Sequence, residues 1–347
     1  ALMRAAILRT YNEDLSIEDI AIPECPSDGV VLKVLACGIC RSDWHGWVGE
    51  HPRVKPGQIG GHEYCGEVVE AGSHATFAVG DKLIAPFILS CGTCPNCRSG
   101  ASNTCIDQRL PGFVEPGAFA EYVAVPRDHN LARLPDGMSP ALAAALGCRV
   151  TTAWHALTDR AALQPGEWLA VHGTGGIGLA AMLLARAMGA RVIVTDIVPE
   201  KLAHAKSLGA EHAIDASDGQ SAERIRDLTG GGAHVSVEAL GFPATVAASL
   251  SCLRPLGRHV QVGMPVGHHA VQEINLNTVY MGNLAVYGTR GMPGWRYPSL
   301  LSLIESGAVD LSPIIAREVS LSETGRELAA FGGPTPPGVA VITDFLT

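Results

Sequence analysis

WLAVHGTGGIGLAAMLLARAMGARVIVTD, residues 168–196, decides the fold. Trp168 to His172 is an apolar run of strand length. Gly173, Gly175 and Gly178 follow as G-x-G-x-x-G, with Gly176 among them. Leu179 to Met188 is apolar on most faces and of helix length. Gly189 stands where a helix C-cap belongs, and Arg191 to Thr195 is a second strand, closed by Asp196. A glycine triplet alone is a weak signal. Between a strand and a helix, with an acidic residue ending the next strand, it predicts a turn that takes a dinucleotide pyrophosphate against a helix N-terminus. Asp196 is positioned to accept hydrogen bonds from the adenosine ribose and to repel a 2′-phosphate, which favours NAD over NADP. The competing reading is an ordinary glycine-rich turn in a parallel sheet.

The pattern continues outward from this unit. Residues 213–215, 234–238, 259–263 and 284–288 read as further strands, with helical stretches such as 199–208 and 244–253 between several of them. Strands alternating with helices predict an α/β, doubly wound parallel sheet over residues 150–288. Residues 1–149 differ. Short apolar runs such as Val30–Ala36 and Glu67–Ala71, punctuated by Gly and Pro, predict a β-rich, barrel-like domain. Residues 289–347 carry no glycine fingerprint and are expected to return to that first domain. Leu284 to Gly288, apolar and free of charge, reads as an edge strand that invites pairing with a second copy across a two-fold axis.

Composition excludes several classes of function. The chain has 347 residues, 47% of them apolar, which suits two folded domains and rules out disorder. A net charge of −9 with no basic run argues against nucleic acid and anionic membrane as partners. No apolar run reaches the roughly 18 residues of a spanning helix. No secretory signal opens the chain, so a cytoplasmic location is the default expectation. In that compartment ten cysteines are better explained as ligands or core residues than as disulfides.

Four of the ten lie in CGTCPNCRSGASNTC, residues 91–105. Cys91, Cys94, Cys97 and Cys105 on one tight loop can close a tetrahedron around a single zinc ion. Gly92, Pro95, Asn96 and Gly100 supply the turns for the wrap. An iron–sulfur cluster competes, but favours C-x2-C-x2-C-x3-C-P, which the longer fourth gap here does not match. Four thiolates leave no open coordination position, so this site is structural and the chemistry must lie elsewhere. ACGICRSDWH, 36–45, and GGHEYCGEVVEAG, 60–72, offer Cys40, His62 and Glu63 as metal-capable groups; LGCRVTTAW, 146–154, adds Cys148. Two Cys and one His form a catalytic zinc set with a free fourth position. Spacing alone leaves open that Cys148 is simply a buried small hydrophobe.

With these motifs in their order, the chain resembles the zinc-dependent medium-chain alcohol dehydrogenases over nearly all its length. G-H-E-x2-G-x5-G-x2-A, Gly61 to Ala75, is similar to that family's zinc signature, and CGICRSDWH to its Cys-x-(Ser/Thr)-Asp segment. The resemblance implies a Rossmann domain joined to a GroES-like catalytic domain, and two zincs per chain with NAD. It implies Cys40, His62 and Cys148 as catalytic zinc ligands, Glu63 as a carboxylate near the metal able to bind it transiently, and Asp43 as the partner that orients His62. It further implies Ser42 as acceptor of the alcohol proton, His45 as the end of a relay through the nicotinamide ribose, Arg41 as a pyrophosphate contact and Lys201 as a ribose contact. Outside the family frame, Ser42, Arg41 and Lys201 would read as surface residues. Trp47 and Phe87 are expected to line the pocket, and their bulk suits small primary alcohols. Val339 departs from the pattern: it stands where many relatives carry an arginine that reaches the pyrophosphate, and Arg290 or Arg258 could compensate. The implied activity is reversible oxidation of an alcohol to an aldehyde or ketone by a homo-oligomer, dimer or tetramer. The alternatives are a zinc-free, quinone-reductase-like oxidoreductase on the same fold and a non-enzymatic zinc-binding redox protein.

Overall fold

The strand Trp168–His172 is buried along its whole length, because helices cover a parallel sheet on both faces and each side chain must be apolar or paired. It is central to a six-stranded, all-parallel sheet with the order His212–Asp215, Arg191–Asp196, Trp168–His172, Ala233–Glu238, Leu253–Gln261, Ala285–Gly288. From Trp168–His172 the chain builds outward on one side, then returns to build the other. The reversal opens a crevice at the carboxyl ends of Trp168–His172 and Ala233–Glu238, the position where open α/β sheets bind ligands. The glycine turn lies at that crevice. It enters the helix Gly176–Ala187, whose Leu179, Met182 and Leu184 are buried, each worth roughly 2 kcal/mol of apolar burial. Gly189, at φ +86°, ends the helix in the left-handed conformation. A computed structural model, covering residues 1–347, is the structure described throughout.

Residue boundaries follow the sequence reading closely in this sheet, with one difference. The strand expected at 259–263 runs over Leu253–Gln261. The strand carries Pro255 and Gly257 through an irregularity: Leu256 takes φ +65° and the pairing with Ala233–Glu238 shifts register.

The second sheet has seven strands: Ile315–Ser320, Val339–Asp344, Val30–Gly38, Glu63–Ala71, Lys82–Ala85 and Ala132–Arg133 in order, with Tyr122–Val125 also on Val30–Gly38. All its pairs are antiparallel except Ile315–Ser320 with Val339–Asp344. The C-terminal segment thus returns to the first sheet, pairing Val341 and Ile342 with Gly38 and Cys37. Between the sheets run the helices Pro140–Ala145 and Arg149–His155. Their apolar side chains join one core of 41 buried residues that takes Ala36, Cys65 and Val341 from one sheet and Leu169, Val171 and Val237 from the other. Cys148, the N-cap residue of Arg149–His155, is therefore held where the two sheets meet. No helix is long and apolar enough to cross a membrane.

Candidate active site and metal centres

Three chain segments converge on one point. Cys40 ends the turn after Val30–Gly38 and caps the helix Arg41–Trp47; His62 precedes Glu63–Ala71; Cys148 caps Arg149–His155. All three are buried, and their ligand atoms lie within 4.8 Å of one another. Asp43 ties two of them together. Its Oδ1 accepts from His62 Nδ1 at 2.9 Å and its Oδ2 accepts from the Cys40 amide at 2.9 Å. The first bond leaves His62 Nε2 as the free ligand atom and fixes the ring. Ser42 Oγ is 3.1 Å from that Nε2 and 3.3 Å from Cys40 Sγ, so its hydroxyl stands at the point the ligands face.

The protons of this cluster are strongly biased. Burial opposes a charge on His62, but the Asp43 carboxylate and Cys40 outweigh it and carry the imidazole up to about 10. A hydrogen bond from the Cys148 thiol pulls Cys40 well below the ordinary thiol value; the same bond, with burial, pushes Cys148 well above it. Two thiols and one imidazole are the donor types that a three-ligand zinc site uses, and they need only shed protons to hold such an ion. Cys40, His62, Cys148 and Ser42 all line a cleft of about 840 Å³, which leaves the fourth position facing open space.

Glu63 does not stand free beside the ligands. Its carboxylate accepts from the Arg149 amide at 3.0 Å, from Nε at 3.0 and 3.1 Å and from Nη2 at 2.6 Å, with both residues buried. Burial raises the Glu63 pKa and Arg149 works against that rise. In this structure the Glu63 carboxylate, next to the ligand His62, is paired with Arg149. Sequence reasoning missed Arg149. Its one signal was a cation inside the apolar run LGCRVTTAW, a position that folding tolerates only with a partner.

On the nucleotide side, Gly173, Gly175, Gly176 and Gly178 form the turn. A Cβ on Gly178 would lie 1.9 Å from the Gly173 carbonyl oxygen, so no larger residue closes it. Asp196 faces the turn: Oδ2 accepts from Thr174 N at 2.9 Å and Oγ1 at 2.8 Å, and Oδ1 from Ile197 N at 2.8 Å and Val198 N at 3.1 Å. Lys201 is half-buried; burial lowers its pKa, Asp196 raises it and Arg41 lowers it. Arg41 lies over Trp44 at 4.9 Å and Phe242 at 5.7 Å, its Nε buried without a partner. Neither suggested compensating arginine stands at the glycine turn. Arg258 pairs with Glu167 at 2.5 Å, at the opposite end of the sheet, and Arg290 lies over Phe87 at 5.2 Å and bonds Gln108 at 2.7 Å. Arg149 is the arginine beside it, with Val339: a Cβ on Gly176 would meet Arg149 Cδ at 2.5 Å and Val339 Cγ1 at 2.8 Å.

His45 is buried on the cleft wall, with Nδ1 3.0 Å from Glu50 Oε2. Burial lowers its pKa, and the Glu50 bond partly offsets that. It makes no direct hydrogen bond to Ser42. Phe87 lines the cleft and meets the His62 ring edge-on at 5.8 Å; Phe113, which the sequence did not single out, packs on His62 at 4.4 Å. Trp47 packs against the apolar cluster that holds Cys40, Phe87, Phe113 and Cys148. Its indole donates to Glu13 O at 2.6 Å and its ring lines a small cavity, with Leu8 and Leu15, that adjoins the cleft at Ser42 and Phe113.

The four-cysteine loop gathers as expected. Sγ separations are 4.0 Å for Cys91–Cys97, 3.5 Å for Cys94–Cys97 and 4.0 Å for Cys94–Cys105. A tetrahedron of thiolates at the usual Zn–S length has edges of about 3.8 Å. Disulfide sulfurs would be about 2 Å apart, and thiolates on different irons of a cluster would be spread wider. Backbone N–H groups of Thr93, Cys94, Cys97 and Asp107 point at the sulfurs, which favours thiolates. Those contacts, first the Thr93 amide, lower Cys91 to about 6. The residues fit one closed zinc site.

Comparison with known proteins agrees with both halves. The model of the alcohol dehydrogenase GroES-like domain matches residues 26–136, and that of the zinc-binding dehydrogenase family matches 176–306. Sorbitol dehydrogenase from Bacillus subtilis (strain 168) is 34% identical over 332 residues, 93% of this chain and 91% of that protein. An alcohol dehydrogenase from Thermus sp. ATN1 superposes with a TM-score of 0.91 at 29% identity, over 99% of this chain and 100% of that one. A zinc-binding dehydrogenase from Sinorhizobium meliloti 1021, solved bound to NADP, gives a TM-score of 0.88 at 31% identity, over 99% of each chain.

Proposed function

The chain belongs to the zinc-dependent medium-chain dehydrogenase family, and from that membership we propose that it is an NAD-linked alcohol dehydrogenase with one catalytic and one structural zinc. The observation that carries this reading is the convergence of Cys40, His62, Cys148 and Ser42 on one cleft whose wall also includes Ile177, the residue between Gly176 and Gly178 of the fingerprint. When bound, zinc supplies Lewis-acid polarisation of an alcohol oxygen, and the nicotinamide supplies the hydride acceptor.

The chain's own residues do the rest. Asp43 holds the His62 tautomer and the Cys40 backbone, so two ligands keep their aim without reorganising. Ser42 Oγ, 3.1 Å from His62 Nε2, is the hydroxyl within reach of a reacting alcohol and takes its proton. His45, on the same cleft wall and steadied by Glu50, receives that proton and releases it to solvent. Phe87 and Phe113 press on His62 and keep the metal side of the cleft dry. Arg41, Lys201 and the turn glycines bind the dinucleotide. The fixed Asp196 carboxylate favours NAD by repelling a 2′-phosphate.

A second copy of the chain completes the reading. The Ala285–Gly288 strand is the sheet edge, and Val271, Leu276, Tyr280, Met281 and Val286 near it in sequence are exposed. Such an edge is suited to pairing across a two-fold axis. The activity is tested with a panel of primary alcohols, secondary alcohols and polyols, each offered with NAD and with NADP while reduced nicotinamide absorbance is followed. Alcohol-dependent reduction of NAD, faster than of NADP, supports the reading; reduction of NADP alone, or of neither, rejects it.

A further inference from the structure

A buried cation beside a helix N-terminus is unfavourably placed unless an anion comes between them. Arg149 is in that position. Its side chain is 5% exposed, and three of its donors, the backbone N–H, Nε and Nη2, are spent on Glu63. Nη1 has no protein partner and is not fully enclosed. It lies 3.2 Å from the place a Gly176 Cβ would occupy. Gly176 is the first residue of the helix Gly176–Ala187, whose unpaired amides face the crevice. Val339, the other side chain against Gly176, is apolar and offers no charge.

We infer that Arg149 is the cation that binds the dinucleotide pyrophosphate, through Nη1, and that its ion pair with Glu63 links the bound diphosphate to the metal ligands. The inference rests on the dinucleotide reading of the glycine turn. A guanidinium fork held on one edge by a carboxylate leaves its other edge rigid and aimed, which suits a diphosphate and which a lysine cannot reproduce. Arg149 follows Cys148 in the chain and Glu63 follows His62. A diphosphate drawn to Nη1 therefore pulls on a pair whose two backbones carry two of the three ligands. This also gives a reason for Gly176: any side chain there would displace Arg149.

The test compares binding, not turnover. ADP-ribose and NADH are titrated into zinc-loaded wild type, Glu63→Gln, and Glu63→Gln with Arg149→Met, a pair chosen so that no buried carboxylate loses its partner. The double variant should keep its zinc and fold and bind both ligands about 20- to 100-fold more weakly than Glu63→Gln, with a shallower salt dependence. Adding Val339→Arg, which approaches the same glycine from the other side, should restore at least part of that affinity; a purely structural Arg149 would not be replaceable in this way. Arg149→Lys serves should the double variant not fold. It should keep zinc but lose at least tenfold in ADP-ribose affinity, because one ammonium cannot serve both Glu63 and the diphosphate. ADP-ribose binding within threefold of the reference in either folded variant overturns the inference for Arg149 alone. A wild type that binds no ADP-ribose overturns the dinucleotide reading with it.

Discussion

Gly175 and Gly178 belong to one motif but should fail in different ways. A Cβ on Gly178 falls 1.9 Å from the Gly173 carbonyl oxygen, a backbone atom at the start of the same turn. Relief needs the helix to move off the strand by roughly 1 Å, an overpacking strain of about 1–3 kcal/mol in a tightly packed region. Gly175 has nothing within 4 Å of its Cβ position and an ordinary negative φ of −74°. Gly175→Ala should therefore leave stability within about 0.5 kcal/mol of wild type. Its new methyl points into open space at the mouth of the helix, where a pyrophosphate must come close. Thermal unfolding without cofactor and NADH titration of both variants separate the effects. Gly178→Ala should lower Tm by about 4–8 °C. Gly175→Ala should keep Tm and weaken NADH binding by about tenfold or more, roughly 1.4 kcal/mol. Equal Tm losses in the two variants, or NADH affinity unchanged in Gly175→Ala, would refute the reasoning.

Four other outcomes are expected. His45→Gln should slow alcohol oxidation about tenfold at pH 6–7 and less at higher pH, with partial rescue by imidazole buffer; a mutant-to-wild-type ratio flat in pH removes His45 from proton transfer. His172 and His259, buried in the nucleotide sheet, are held by desolvation at about 3 and about 4. Against an unfolded value of about 6.5, the unfolded chain binds more protons below that pH, so stability is complete above it and falls on the order of 4 kcal/mol by pH 5; urea midpoints unchanged between pH 7 and 5 would contradict this. Cys94→Ser should lose one zinc per chain and several degrees of Tm, whereas Cys148→Ser should lose the other zinc and activity but keep the fold; elemental analysis distinguishes them. Light scattering at micromolar concentration should find a dimer or tetramer, and a monomer alone would remove the edge-strand pairing.

What the sequence disclosed and what it withheld have a common physical basis. The nucleotide sheet was legible because its first two strands are local apolar runs and the turn between them carries Gly178, which no larger residue can replace. The metal ligands are scattered over 40, 62 and 148, and their spacing said little; the family resemblance supplied the grouping that the folded chain brings about. Arg149 was overlooked because its meaning is non-local: it depends on Glu63 across a strand pair and on Gly176 across the crevice. The strand at Leu253–Gln261 began six residues early because Pro255 and Gly257 are tolerated where the ladder is irregular.

The central claim, a three-ligand metal centre that works with the glycine turn in one cleft, is tested most directly by returning zinc to metal-free protein stepwise while following NADH formation from an alcohol. The four-cysteine loop is closed and contributes no open position, so filling it alone should give no turnover. Activity should appear only with the zinc equivalent that Cys148→Ser cannot bind, and should plateau near two zincs per chain. Full NAD-linked oxidation by metal-free protein, or an activity that saturates at one zinc and survives Cys148→Ser, would contradict the account.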